Sequence, residues 1–120
     1  MKEARKKAAF RKRRIIMNND GNDCWNPKPG EAKTPDSFLS KRTTPLLGSQ
    51  VDAIFYCTGV FNTYTHQSEE TELRASADQG VTDWAHELIA TGRDSLRIMV
   101  EFGHQHGLEV FWSMRMNDTH

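Results

Sequence analysis

Three short apolar segments interrupt an otherwise polar chain, at residues 14–18, 51–57 and 108–114. They are rich in β-branched and aromatic residues, and polar and apolar positions mostly do not alternate within them. This pattern is typical of parallel strands that are covered on both faces. The sequence therefore predicts three buried β-strands.

A helix is predicted over residues 94–106, between the second and third strands. Asp94 is placed to accept hydrogen bonds from the free amides of the first turn, and Gly107 can supply the left-handed residue that ends a helix. Apolar positions recur at helical spacing, which predicts one buried stripe: Leu96, Met99, Val100 and Gly103. Shorter helices are predicted over residues 83–90 and 36–42.

The predicted order of strand, helix, strand, helix and strand indicates βαβ units and an α/β fold with parallel strands. Three parallel strands cannot close a barrel. We therefore interpret residues 14–120 as the amino-terminal fragment of a truncated TIM-type (β/α)8 barrel, and residues 1–13 as a basic arm or helix. Long polar loops follow the first two strands, at residues 19–35 and 58–81, and such loops hold the functional sites of α/β proteins.

Composition narrows the function classes. The chain has 120 residues, with 37% hydrophobic residues, 27% charged residues and a mean hydropathy of −0.71. No apolar run approaches the length of about 20 residues that a membrane span needs, so no span is predicted. The apolar segments also argue against a chain that is disordered throughout.

Charge is distributed unevenly although the chain is neutral as a whole. Residues 1–14 carry a net charge of +7 and residues 15–120 carry −7. A basic arm on an acidic body fits a tether to nucleic acid or to an anionic surface, and it also fits a solvated leader. The leader is the simpler interpretation because Phe10 is the only aromatic residue among the charges. Nucleic acid is therefore the less favoured partner.

Two cysteines, Cys24 and Cys57, are too few for a disulfide scaffold and lack the paired spacing of a zinc site. We predict no metal site and no cofactor. The basic start is not followed by an apolar stretch of about 7–15 residues, as a secretory leader would require, so the cytoplasm is the default expectation. The sequence does not predict an oligomeric state.

Polar residues cluster after the first and third strands. The segment 18–23 fails as a calcium loop, because Asp23 and Pro29 stand where that loop needs Gly and Glu. It is either a set of side-chain-capped turns or a polar loop over a pocket. The ends of parallel strands meet at one edge, which gives these candidate substrate-binding residues: Asn19, Asp20, Asp23, Arg115, Asn117, Asp118 and His120.

Two further groups of side chains have alternative interpretations. The aromatic and polar stretch after the second strand suits a sugar-stacking platform or ordinary loop packing: Tyr56, Phe61, Tyr64 and His66. His104 and His106 are two residues apart on a helix and point about 200° apart, so they cannot share one metal ion. They are better placed to interact with the carboxyl end of the helix dipole.

The segments Gly92–Arg97 and Gly107–Asn117 resemble the second helix and third strand of glycosyl-hydrolase-like family 10 proteins. Val51–Tyr56 and Arg14–Asn19 are similar to the two preceding strands of that family. The resemblance covers about residues 13–120. Two features depart from it: Ser95 stands where proline is common, and the loop after the first strand is long.

The resemblance implies a (β/α)8 barrel that hydrolyses glycosidic bonds at its carboxyl rim and binds a carbohydrate there. Glycoside hydrolysis needs two carboxyl groups, and the family places them on later strands. No catalytic residue is therefore assigned, and the chain is expected to be inactive alone. The alternative is a small binding module that docks its basic arm on nucleic acid or on an anionic surface.

Overall fold

The computed structural model describes residues 2–21, 23, 30–60, 63–65, 72–73 and 85–115. Its helices are α1 (Lys2–Phe10), α2 (Pro35–Ser40), α3 (Ala85–Ala90) and α4 (Ser95–His106), with a short 3-10 helix at Thr44–Leu46. Its strands are β1 (Ile16–Asn19), β2 (Ala53–Val60), β3 (Thr63–Tyr64), β4 (Glu72–Leu73) and β5 (Glu109–Arg115).

The three predicted strands are β1, β2 and β5, and they run parallel in one sheet with β2 in the middle. The register places Asn19 beside Tyr56 and Tyr56 beside Trp112. The α/β class with parallel strands is therefore confirmed. Strand boundaries differ from the sequence prediction, since β1 starts and ends later than expected and β2 extends to Val60.

The region predicted as a loop after the second strand contains two additional strands. β2 and β3 pair antiparallel, with Val60 opposite Thr63, and β3 and β4 pair parallel. Only two residues connect β2 to β3, which is the length of the tightest hairpins. The loop prediction was wrong at this point because it ended the second strand with its apolar residues, whereas the strand continues through Thr58.

Local capping signals position α4 as predicted. The Asp94 side chain accepts a hydrogen bond from the amide of Arg97 at 2.9 Å, and Gly107 ends the helix with φ of 70°. The cap of α2 works in the same way, since the Thr34 hydroxyl accepts from the amide of Ser37 at 3.3 Å. These caps satisfy amides that have no partner within the helix.

The core lies on one face of the sheet, between β2 and the helices. Its buried residues come from α2, β2, α3 and α4: Phe38, Ile54, Tyr56, Leu88, Ile98, Met99 and Phe102. Because α2, α3 and α4 all contribute to this single cluster around β2, they cover the same face.

The buried stripe of α4 agrees with the predicted one at Met99 and Gly103, which are buried. Ile98 and Phe102 are buried as well, whereas the predicted Leu96 and Val100 are only partly so. An added Cβ at Gly103 would lie 2.5 Å from Cγ2 of Val110, so the helix lies close against β5 at this residue.

The opposite face of the sheet is covered less completely. Phe55 and Phe111 pack on each other with ring centroids 4.9 Å apart, and the guanidinium of Arg13 lies 4.9 Å from the Phe111 centroid. Ile16 on the same face is 44% exposed. This face therefore carries apolar side chains that the described helices do not cover.

Candidate functional site

The residues after β1 form a compact polar cluster with an arginine from beyond α2. Asn19 donates from Nδ2 to Asp23 Oδ2 at 2.9 Å. Arg42 donates from Nε to Asp23 Oδ1 at 2.7 Å and from Nη2 to Asn19 Oδ1 at 2.9 Å. Asn19 and Asp23 are buried, while the Arg42 side chain is 34% exposed. We call these three residues the Asn19 cluster.

A tight turn at Gly21 brings the Asn19 cluster together. The amide of Gly21 donates to Asn19 Oδ1 at 2.8 Å, so the Asn19 side chain caps this turn. Gly21 has φ of 79°, and a Cβ at this position would overlap the carbonyl oxygen of Cys57 on β2. Only glycine fits here, so the turn is pressed directly against the sheet. Of the two sequence interpretations, this geometry favours the capped turn.

Two predicted substrate-binding residues, Asn19 and Asp23, use their side-chain polar atoms for hydrogen bonds within the protein. Both Asp23 oxygens and both polar atoms of Asn19 accept or donate within the cluster. Buried polar groups of this kind hold a loop in place. Asn19 and Asp23 therefore fix the carboxyl edge of β1, and Asp20 between them is exposed.

An exposed tryptophan on β5, Trp112, lies level with Asn19 in the sheet, because both residues pair with Tyr56. Trp112 is 48% exposed, and its Nε1–H donates to the Thr58 hydroxyl at 2.8 Å. Thr58 is itself buried, so the hydrogen bond holds the indole in one orientation with part of its surface open to solvent. An aromatic face fixed in this way can stack on the C–H surface of a sugar ring.

Hydrogen bonds that involve the buried residues Thr65 and Ser95 hold Thr58 in place. The Thr58 carbonyl accepts from the amide and the hydroxyl of Thr65, at 2.6 and 3.0 Å. The Thr65 hydroxyl lies 3.2 Å from the Ser95 hydroxyl, at the first residue of α4. The position of Trp112 is therefore coupled through β2 to the start of α4. Ser95, which departs from the proline common in the resembled family, is used in this contact.

Of the remaining predicted site residues, Arg115 is described by its place in β5. Arg115 pairs with Val60 in the backbone register, three residues beyond Trp112. At about 3.3 Å per residue and 4.8 Å per strand, it is about 10 Å along and about 10 Å across the sheet from Asn19. The parallel strands place the carboxyl ends of β1 and β5 at the same end of the sheet, with β5 extending further than β1. Asn117, Asp118 and His120 lie outside the described residues.

The predicted aromatic platform is not formed by Tyr56. Its side chain is fully buried and meets the ring of Phe38 edge-on at 6.3 Å between centroids. Of its other members, Phe61 and His66 lie outside the described residues, and Tyr64 is described only as part of β3. Among the described residues, the exposed aromatic side chain at this edge belongs to Trp112, which the sequence placed in the third apolar strand rather than in the aromatic platform.

The described part of the carboxyl edge does not pair two carboxyl groups for acid and nucleophile roles. Asp23 is held by Arg42, and Asp20 is the exposed carboxylate beside it. Among the described residues, no group of three or more His, Cys, Asp or Glu side chains could hold a metal ion.

A separate cavity of about 600 Å³ opens between α2 and α4. Its floor is apolar and its rim is charged, with these lining residues among others: Asp36, Leu39, Arg93, Ile98, Glu101 and Phe102. Hydrogen bonds from Arg93 at 2.8 Å and Arg97 at 3.0 Å hold the pKa of Glu101 below its usual value of 4.5. On this rim Arg93 and Glu101 are therefore paired with each other.

The two histidines of α4 lie at its end, as expected. His104 and His106 are exposed in the last turn, and the His106 ring lies 4.6 Å from the ring of Phe102. This placement agrees with an interaction at the carboxyl end of the helix.

Comparison with family models, curated proteins and solved structures gave no match to this chain. None of the helices in the described ranges is long and apolar enough to span a membrane.

Proposed function

We propose that the carboxyl edge of the sheet binds a carbohydrate, with the indole of Trp112 as the stacking surface. The observation that carries the proposal is the half-exposed indole, held by the buried Thr58 hydroxyl at 2.8 Å. A fixed ring loses little conformational freedom when a ligand stacks on it. Asp20 supplies an exposed carboxylate at the same edge, suited to accepting hydrogen bonds from sugar hydroxyls.

We further propose that β1, β2 and β5 are the first three strands of a (β/α)8 barrel. Two observations support this architecture. Strands that follow one another along the chain are neighbours in the parallel part of the sheet, and the helices between them share one face. A barrel needs this arrangement, because its other face becomes the interior. Phe55 and Phe111 occupy that second face, and the short strands β3 and β4 form an addition to the barrel pattern.

Hydrolysis belongs to the proposed parent barrel rather than to the described residues. A glycosidase requires a general acid and a second carboxyl group at a defined separation. Within the Asn19 cluster the Asp23 carboxylate is paired with Arg42, so we assign this edge to binding a sugar. The resemblance to glycosyl-hydrolase-like family 10 proteins supports the same ligand class.

The test is a titration of the chain with a panel of neutral gluco-, manno- and galacto-oligosaccharides by calorimetry at low and high salt. Binding is expected to change little with salt, because a neutral sugar releases no counterions. Trp112→Ala should weaken binding at least tenfold, about 1.4 kcal/mol, while Leu47→Ala, which truncates a similarly exposed side chain elsewhere, should not. Thr58→Val should weaken binding less, because it frees the ring without removing it.

Equal affinities for the Trp112→Ala and Leu47→Ala variants would contradict the proposal, and so would a failure of every sugar to bind. Thermal melting of each variant distinguishes loss of the site from loss of the fold.

A further inference from the structure

Helix α1 is a fully exposed basic element. None of its residues is buried, and Phe10 at its end is 84% exposed. Four of its nine residues are basic: Lys2, Arg5, Lys6 and Lys7. None of the four forms an ion pair with another described residue. The charge of this helix is therefore available to a partner.

Arg13 anchors α1 to the sheet. It donates from Nη2 to the carbonyl of Ala8 at 2.6 Å and to Glu109 Oε2 at 2.7 Å. Its Nη1 donates to the carbonyl of Arg11 at 3.2 Å, and its guanidinium stacks on Phe111. These contacts satisfy carbonyls at the carboxyl end of the helix and tie it to β5. The helix therefore has a fixed attachment, unlike a simple solvated leader.

Three of the four basic side chains of α1 share one face. Lys2, Arg5 and Lys6 stand at i, i+3 and i+4, which places them side by side on a helix, whereas Lys7 lies on the other side. The apolar residues do not form a continuous apolar face, because Ala4 and Ala8 share the other side with Lys7, and Phe10 lies apart from them. A helix that lies in a membrane interface needs a continuous apolar face. The pattern therefore favours a soluble polyanion over a lipid surface.

We propose that α1 binds the phosphate backbone of nucleic acid without sequence preference. An α-helix about 10–12 Å across fits the major groove of duplex DNA, which is about 12 Å wide. Basic side chains on one face then reach the phosphates, and such contacts supply most of non-specific affinity. The body carries −7 over residues 15–120 and is repelled by the same polyanion, so contact is confined to the amino-terminal segment that α1 begins.

The test measures binding of the full chain to a fluorescently labelled 20-base-pair duplex by anisotropy, from 50 to 200 mM salt. Neutralising three phosphates with Lys2, Arg5 and Lys6 predicts a slope of log K against log salt near −2.7, which is about a 40-fold loss of affinity over this range. Lys2→Gln with Lys6→Gln should leave a slope near −0.9, which is about a 3.5-fold loss.

The matched control is Arg93→Gln with Arg97→Gln, which removes the same charge from the first turn of α4 and the residue before its N-cap. It should leave the slope unchanged. An equal effect of the two double variants would overturn the proposal, since net charge rather than α1 would then govern binding.

Other partners of α1 give distinct results. Binding to vesicles of 30% phosphatidylserine with none to the duplex would overturn the proposal in favour of a lipid surface. Self-association at 50 mM salt with no duplex binding would overturn it in favour of the acidic body of a second copy. Sugar binding does not enter these measurements, so this proposal and the carbohydrate proposal fail independently.

Discussion

Arg42 is the residue on which the carboxyl edge of β1 most depends, and Arg42→Met isolates its charge. Methionine keeps much of the aliphatic length but leaves the Asp23 carboxylate, which is 4% exposed, without its cation. Removing one partner of a fully buried ion pair costs about 3–5 kcal/mol. Because the Arg42 side chain is 34% exposed, water screens part of that cost. We expect a loss of about 2 kcal/mol in the free energy of unfolding, discounting the buried-pair range for this exposure.

Thermal unfolding followed by circular dichroism measures this loss. At about 2.1 cal/mol/K per residue, 2 kcal/mol corresponds to a fall of about 8 °C in Tm for a chain of this size. The control is Arg97→Met, which breaks an ion pair with Glu101 at a side chain that is 65% exposed. That pair lies in solvent, so its loss should lower Tm far less than the loss of Arg42 does.

A double-mutant cycle with Asp23→Asn separates the ion pair from packing effects. The double variant has no buried charge, so its loss should be smaller than the sum of the two single losses by about 1 kcal/mol or more. If Arg42→Met and Arg97→Met lower Tm by the same amount, or if the cycle is additive, then the Asn19 cluster does not stabilise the carboxyl edge of β1. Either result refutes the prediction.

Two further predictions concern single residues. Gly21→Ala should lower the free energy of unfolding by at least 2 kcal/mol, because φ is positive and the new Cβ would overlap the Cys57 carbonyl; a denaturant melt within 0.5 kcal/mol of the unmodified chain would refute this. Arg93→Gln should raise the pKa of Glu101 toward 4.5, since its strongest hydrogen-bond donor is lost. NMR titration of the carboxyl carbon measures it. Because that pKa is lowered in the folded state, the stabilisation is present above pH 4.5 and is lost as pH falls through the folded pKa. An unchanged pKa in the variant would refute the assignment.

Local signals in the sequence were enough to predict the main helices and strands and their order along the chain. Asp94 and Gly107 bracket α4 because capping depends on the residues at each end and little else. The apolar segments identified three strands, and the helical residues between β2 and β5 required a parallel connection. These features follow from short stretches of chain, so they could be predicted.

The site depended on contacts between distant residues, which local patterns do not encode. Arg42 lies 19 positions after Asp23 in the chain, and no motif links the two. Trp112 belongs to an apolar strand, and its hydrogen bond to Thr58 joins residues 54 positions apart. The close approach of α4 to Val110 of β5 at Gly103 likewise joins two elements that no local pattern pairs. The offset between β1 and β5 arose in the same way, from register rather than from composition.

The central claim is that Trp112 forms the ligand surface at the carboxyl edge, and the indole Nε1–H signal of Trp112 tests it most directly. That proton is hydrogen-bonded to Thr58, so its ¹H–¹⁵N signal reports both the ring and its support. The signal is assigned with the Trp112→Phe variant and followed during titration with the neutral oligosaccharide panel. The account predicts a saturable shift of this signal with at least one sugar, while the amide of Glu101 on the distant face of α4 does not move. An indole signal that stays unchanged with every member of the panel would contradict it.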